Sequence, residues 1–201
     1  MKRAELFEAV KPFVPAPGYS DPAHIAAVDA LADYLGLAPT TPAVPAAAAT
    51  GLPDDYWPLL AKIESGNNPL AKARTSSGSG LYQFLKATWI GEGGTWGTDM
   101  TKPFGGLTPC YDEQTRRAKT FTAKNAAVLR RAGVPINKAS LYAAHFLGAG
   151  MAVKLVSADV NARADLMAGD QATKANESIL RGKTVGQFLT WLHGKTGEWA
   201  R

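Results

Sequence analysis

Trp57-Pro58-Leu59-Leu60-Ala61-Lys62-Ile63-Glu64-Ser65-Gly66-Asn67-Asn68-Pro69 is the stretch on which the reading of this chain turns. Trp57, Leu60, Ala61 and Glu64 fall at relative positions 0, 3, 4 and 7, which is one face of an α-helix. Ser65 to Pro69 is a run of breakers and must end that helix. The pattern thus predicts a carboxylate on the apolar face of a helix, in its last turn.

Downstream, Thr75-Ser76-Ser77-Gly78-Ser79-Gly80 reads as a loop of small residues, and Leu81–Ile90 as a helix carrying Phe84, Leu85 and Trp89. Residues 91–110 are glycine-rich and predict a long loop with short strands. Asp112 is placed to N-cap a helix running to Ala132, before Gly133-Val134-Pro135. Asn137 is placed to cap another through Leu147, and Thr184 with Gln187 forms a capping-box pattern before the last helix.

Upstream, residues 39–53 (PTTPAVPAAAATGLP) lack charge and read as a semi-rigid linker. Residues 1–38 read as a small helical module with a possible cell-wall-binding role. In it, residues 2–12 predict a helix with Leu6, Phe7 and Val10 on one side. Asp21-Pro22 opens a second helix, with Ile25, Val28, Leu31 and Leu35 as an apolar stripe and Gly36 at its end. The main domain is therefore 54–201, and the fold class is mainly α.

The chain has 201 residues, 46% hydrophobic and 19% charged, which suits a globular core with a small appendage. Its net charge of +5 is uneven, because the last part of the chain, from Thr115 on, is strongly basic. That asymmetry suits an anionic partner such as cell-wall polymer, nucleic acid or a membrane surface, or simply solvated helix faces. The single cysteine, Cys110, excludes an internal disulfide and reads as a buried or bystander thiol. His24, His145 and His193 lie far apart and show no metal-ligand spacing, so no metal and no cofactor is expected. Met1–Glu8 has basic residues without an apolar run behind them, and no stretch has transmembrane length. The expectation is a soluble, monomeric protein made in a host cytoplasm, with no membrane insertion and no nucleic-acid partner.

Two effects act on Glu64 in its predicted place. Burial disfavours its charge, and the negative end of the helix dipole does the same. A carboxyl raised in this way stays protonated near neutral pH and can give its proton to the oxygen of a leaving group. Trp57, Trp89, Trp96, Tyr82 and Tyr142 have aromatic faces on which sugar rings could stack, but the tryptophans read first as core, with Trp96 the exception, and Tyr142 reads as either site or core.

Ile63-Glu64-Ser65-Gly66-Asn67, followed by Ser76-Ser77-Gly78-Ser79-Gly80-Leu81-Tyr82-Gln83-Phe84, resembles the core signature of soluble lytic transglycosylases and their phage relatives. Tyr142–Gly150 resembles a later motif of the phage members, and Ala175-Asn176-Glu177-Ser178-Ile179 a third. The resemblance covers roughly residues 54–190. It implies a lysozyme-like helical domain that cleaves the β-1,4 bond between N-acetylmuramic acid and N-acetylglucosamine in bacterial peptidoglycan.

By the resemblance, Glu64 is the acid/base, while Ser65, Ser77, Ser79, Gly80, Gln83, Tyr142 and His145 are the substrate-binding set. Ser65 also reads as support for the site. The chain departs from the family where an Ala-Tyr-Asn segment is usual and Ala144-His145-Phe146 stands, and where Tyr82 replaces a common Met.

Hydrolysis by retention or inversion needs a second carboxylate across the scissile bond. Some phage lysozymes keep an aspartate nine residues past the glutamate; here Ala73 stands there, and Glu92 is the one candidate to watch. Three readings stand beside the transglycosylase: a hydrolytic muramidase on the same fold, a non-enzymatic cell-wall-binding or tail protein, and a nucleic-acid binder. A phage endolysin released through a holin, or a virion-associated lysin, fits a lytic domain without a signal peptide.

Overall fold

A computed structural model describes residues 3–10, 31, 35 and 51–201. The chain divides into two compact units, Met1–Ala49 and Thr50–Arg201. In the first, α1 spans Arg3–Val10, and Leu6 is buried. Leu35 N donates to Leu31 O at 3.0 Å, one helical turn. Leu31 and Leu35, expected to bury in a stripe, are 42% and 46% exposed. The Phe7 side chain, Ile25, Val28, the rest of the 21–36 helix and linker residues 39–50 lie outside the described residues.

The second unit is helical: α2 (Tyr56–Ser65), α3 (Lys86–Gly91), α4 (Tyr111–Arg131), α5 (Lys138–Leu147), α6 (Ala149–Val156), α7 (Ala164–Ala175), α8 (Glu177–Leu180) and α9 (Val185–Thr196). A 3-10 turn at Pro103–Gly106 interrupts the glycine-rich stretch. The protein is mainly α. Among the described residues, 91–110 holds none of the short strands expected there, and isolated bridges stand elsewhere, at Lys72–Ser79, Ser79–Phe84 and Arg163–Thr184. Leu52, the penultimate residue of the expected linker, packs on the core of this unit.

α5 is the central element, packing against α4, α6 and α9. Ala139 to Ala144 are all buried, and a helix apolar on nearly every side belongs in an interior. Its small alanines let neighbours approach closely. Its start is set by a capping box: Asn137 Oδ1 accepts from Ser140 N at 2.9 Å, and Ser140 Oγ accepts from Asn137 N at 3.1 Å. The Thr184–Gln187 box starts α9 in the same way. α4 buries Gln114, Arg117, Ala118, Thr122, Asn125, Ala126 and Leu129, a stripe at helical spacing.

Three local expectations give way. Leu81–Ile90 is not one helix: residues 79–84 form a tight turn, and α3 begins only at Lys86. Ser79 and Phe84 exchange backbone bonds of 3.1 and 3.0 Å, which a helix there would forbid. Asp112 lies inside the first turn of α4; Cys110 is the cap position and has no side-chain bond. Cys110 is exposed, which leaves the bystander reading of its thiol rather than the buried one. No helix among the described residues is long and apolar enough to cross a membrane.

Candidate active site

α2 buries Tyr56, Leu60 and Ala61 and carries Glu64 on the same row, at intervals of four from Tyr56. The inward row thus begins at Tyr56, one residue before the expected Trp57. Trp57 is half-buried, edge-on to Tyr56, with the Lys119 ammonium 5.8 Å above its ring. Gly66 ends the helix in the left-handed region (φ 62°), its N–H donating to Lys62 O at 3.1 Å.

The loop after α2 is built as a frame. Ser65 Oγ lies 2.8 Å from Leu81 O and 3.0 Å from Ala61 O, so its hydroxyl ties the helix end to the turn. Ser77 Oγ accepts from Lys86 N at 3.0 Å. Ser79 is fully buried; its Oγ donates to Ser77 O at 2.9 Å and accepts from Phe104 N at 3.1 Å. Gly80 turns at φ +76°, where a Cβ would collide with Gln114 Oε1 and the Phe104 ring. Gln114 Oε1 accepts from Leu81 N at 2.8 Å, while its Nε2 donates to Pro109 O and Pro69 O.

Ser65, Ser77, Ser79 and Gly80 thus build the frame: the three hydroxyls tie the loop to the preceding helix, to α3 and to the 3-10 turn, and none of the four residues lines the cleft beside it.

That cleft has a volume of about 410 Å³ and is lined by Glu64, Thr75, Ser76, Gly78, Gln83, Leu85, His145, Phe146, Ala175 and Asn176. Of the expected set, Glu64, Gln83 and His145 reach it. Gln83 holds a positive φ of 48° for a residue with a side chain and donates from Nε2 to Gly80 O at 3.0 Å. Glu64 is the only carboxylate among the lining residues. Glu92 lies elsewhere: both its oxygens meet Lys124 Nζ at 2.9 Å, and its backbone carbonyl accepts from Arg117.

The surroundings of Glu64 determine its chemistry. Its side chain is 16% exposed, and burial pushes its carboxyl up to about 7. The Tyr142 hydroxyl and the Lys195 ammonium pull the other way without cancelling the effect. The same burial, with the nearby carboxylate, raises Tyr142, so its hydroxyl keeps its proton as a donor.

His145 Nε2 is 3.0 Å from Tyr82 O and 3.9 Å from Glu64 Oε1. A carbonyl only accepts, so Nε2 carries the hydrogen. Burial pushes the imidazole down to about 4, and Nδ1 is buried without a partner. The contact with Glu64 is thus made by a neutral ring and is not an ion pair. Among the described residues nothing pairs with Nδ1, and the ring stands in the cleft wall.

Sequence reasoning missed Tyr56, Phe146 and Asn176. Asn176 lay within a quoted motif but was not singled out. Phe146 belongs to an aromatic cluster with Tyr142 and Trp191, whose ring centroid is 5.1 Å from its own. The four tryptophans and tyrosines other than Tyr142 that were named for sugar stacking, Trp57, Trp89, Trp96 and Tyr82, do not line the cleft. Trp89 and Tyr82 are core, Trp89 bonding Thr95 O through its indole N–H at 2.9 Å, and Trp96 packs against Phe104. No cluster of three or more His, Cys, Asp or Glu suited to a metal occurs among the described residues. No family model matches the chain.

Proposed function

We propose that this protein cuts the glycan strands of bacterial peptidoglycan at the β-1,4 bond between N-acetylmuramic acid and N-acetylglucosamine, as a lysozyme-like lytic transglycosylase. The observation that carries the reading is one carboxyl, raised to about 7 by burial, standing alone among the residues of a cleft. Below that value Glu64 is protonated and gives its proton to the glycosidic oxygen as the bond to the anomeric carbon breaks. The substrate's own acetamido group stabilises the positive charge left on the sugar. The Glu64 carboxylate then takes the proton of the muramic 6-hydroxyl, whose oxygen closes on the anomeric carbon as a 1,6-anhydro ring. The attack is intramolecular, so no second carboxylate is needed to activate water.

In this scheme Gln83, Asn176 and the Gly78 backbone face the sugars, and Tyr142 holds the carboxyl from the core side. The cell wall is reached from a host cytoplasm after membrane opening, or from a virion.

Mass spectrometry of purified peptidoglycan after digestion tests the proposal. The expected products are 1,6-anhydromuropeptides, one water lighter than hydrolysed ones. Free reducing ends would replace the transglycosylase with a muramidase, and intact strands would remove both.

A further inference from the structure

Tyr56 is buried to 1% exposure, yet its hydroxyl finds no hydrogen-bond partner among the described residues. An unpaired buried hydroxyl is unfavourable, and native proteins keep few of them. Phenylalanine would fill the same space at no such cost. The polar groups acting on this hydroxyl are Glu64, two turns further along α2, and Tyr142 on α5. Burial also holds the Tyr56 phenol well above its ordinary pKa, so it stays a donor across the working range of the protein.

We propose that Tyr56 is a positioning residue for Glu64: its idle hydroxyl is a reserve donor that engages the carboxylate once the carboxyl has released its proton.

The inference rests on the acid/base reading of Glu64. When Glu64 is protonated, one hydroxyl from Tyr142 suffices, and the second is left over. When Glu64 gives up its proton, a full negative charge appears in a place that water reaches poorly. The groups facing it are Tyr142 and His145 from α5, Lys195 from α9 and Tyr56 from α2 itself. His145 is neutral and its one N–H is given to Tyr82 O. Lys195 is an exposed residue of the last turn of α9. Tyr56 is therefore the buried donor on the Glu64 row that has no other partner among the described residues. A second donor makes the carboxylate state cheaper just where the reaction needs it, during proton transfer to the leaving oxygen.

The test is Tyr56→Phe in the full chain, with the Glu64 midpoint read by carbon-13 NMR of labelled glutamate carboxyls. The Glu64 signal is identified by its loss in Glu64→Gln. Losing a donor to the charged form should raise the midpoint by about one pH unit, with thermal stability unchanged or higher. The alkaline limb of the lysis profile should move up with it, and the rate on the acid plateau should fall about tenfold. Rescue by other packing residues is not expected, because no volume is lost.

An unmoved midpoint would overturn the proposal, whatever happens to the rate. A fall in stability with an unmoved midpoint would make Tyr56 a packing residue only. A raised midpoint in a protein that leaves peptidoglycan intact would sustain the Tyr56–Glu64 coupling and remove the proposed function instead.

Discussion

Glu64 and Glu92 are both withdrawn from solvent, at 16% and 7% side-chain exposure, but they have opposite neighbours. Glu92 meets the ammonium of Lys124 with both oxygens, and Lys124 itself remains 60% exposed. Glu64 meets a tyrosine hydroxyl and a neutral imidazole, with its nearest cation acting only from a distance. Burial by itself therefore does not make an acid. Burial without a cation does, because the proton then becomes the cheapest way to neutralise the group.

The sharpest way to break this comparison is to remove each carboxylate in turn. Glu64→Gln should lower lysis of outer-membrane-permeabilised cells, followed by turbidity, at least about a hundredfold, the scale of losing a general acid. Glu92→Gln should stay within about threefold of the parent, since Glu92 lies outside the cleft and is held by Lys124. The reverse ranking would make Glu92 the catalytic group.

Next in size is the turn at Gly80, which packs on Gln114 and Phe104 beside the cleft. Gly80→Ala forces a Cβ into Gln114 Oε1 and Phe104 at a positive φ. Urea unfolding should show a loss of about 3 kcal/mol from the clash and the backbone strain together. A loss under about 1 kcal/mol would mean that the turn yields easily and is not a rigid part of the frame.

The pH dependence of stability sharpens the comparison further. Glu64 has its folded value raised to about 7, so its contribution is fully present below the ordinary carboxyl range and is lost as pH rises through 7. His145 has its folded value lowered to about 4, so its contribution is present above the ordinary imidazole range and is lost as pH falls through 4. The two slopes oppose one another in the mildly acidic range. Glu64→Gln should therefore be more stable than the parent by about 2 kcal/mol at pH 8 and equal to it at pH 4. Equal melting temperatures at both values would show that Glu64 is solvated after all.

The smallest effect belongs to Lys124→Ala, which makes the surroundings of Glu92 resemble those of Glu64. Stability should fall by about 1 kcal/mol near neutral pH, and the loss should shrink as acid protonates the orphaned carboxyl. A constant loss across pH would assign it to the lysine stem rather than to the pair.

The helical class, α2 with its terminal glutamate, and the caps at Asn137 and Thr184 were legible in the sequence because each depends on residues within a few positions of one another. The 79–84 turn was not. Leu81 to Ile90 has helical spacing, but the turn is held by Gln114, from a helix that begins only at Tyr111. Gln83 adopts its positive φ inside that turn, and no local rule demands it. The bonds of the serines were not legible for the same reason: a hydroxyl in a small-residue loop serves sugars or backbone equally well, and only the fold shows which backbone atoms it meets. Tyr56 was within reach, since it continues the Leu60–Glu64 row by one turn, but the larger Trp57 beside it drew the assignment. Phe146 and Asn176 needed the fold, because α5 and the junction of α7 with α8 meet at the cleft only in space.

The bond from the Leu81 amide to Gln114 Oε1 has a bearing on how this protein breathes. Gln114 is buried in α4, and its side chain also holds the carbonyls of Pro69 and Pro109. Releasing the turn beneath the cleft therefore means withdrawing a side chain from the helical interior, not swinging a surface flap. In amide hydrogen exchange the Leu81 proton should age with those of α4 and α5, at the rate of global unfolding, while Thr75 and Ser76 on the rim exchange early. The site is then a rigid floor with a soft edge, open without the release of any buried side chain.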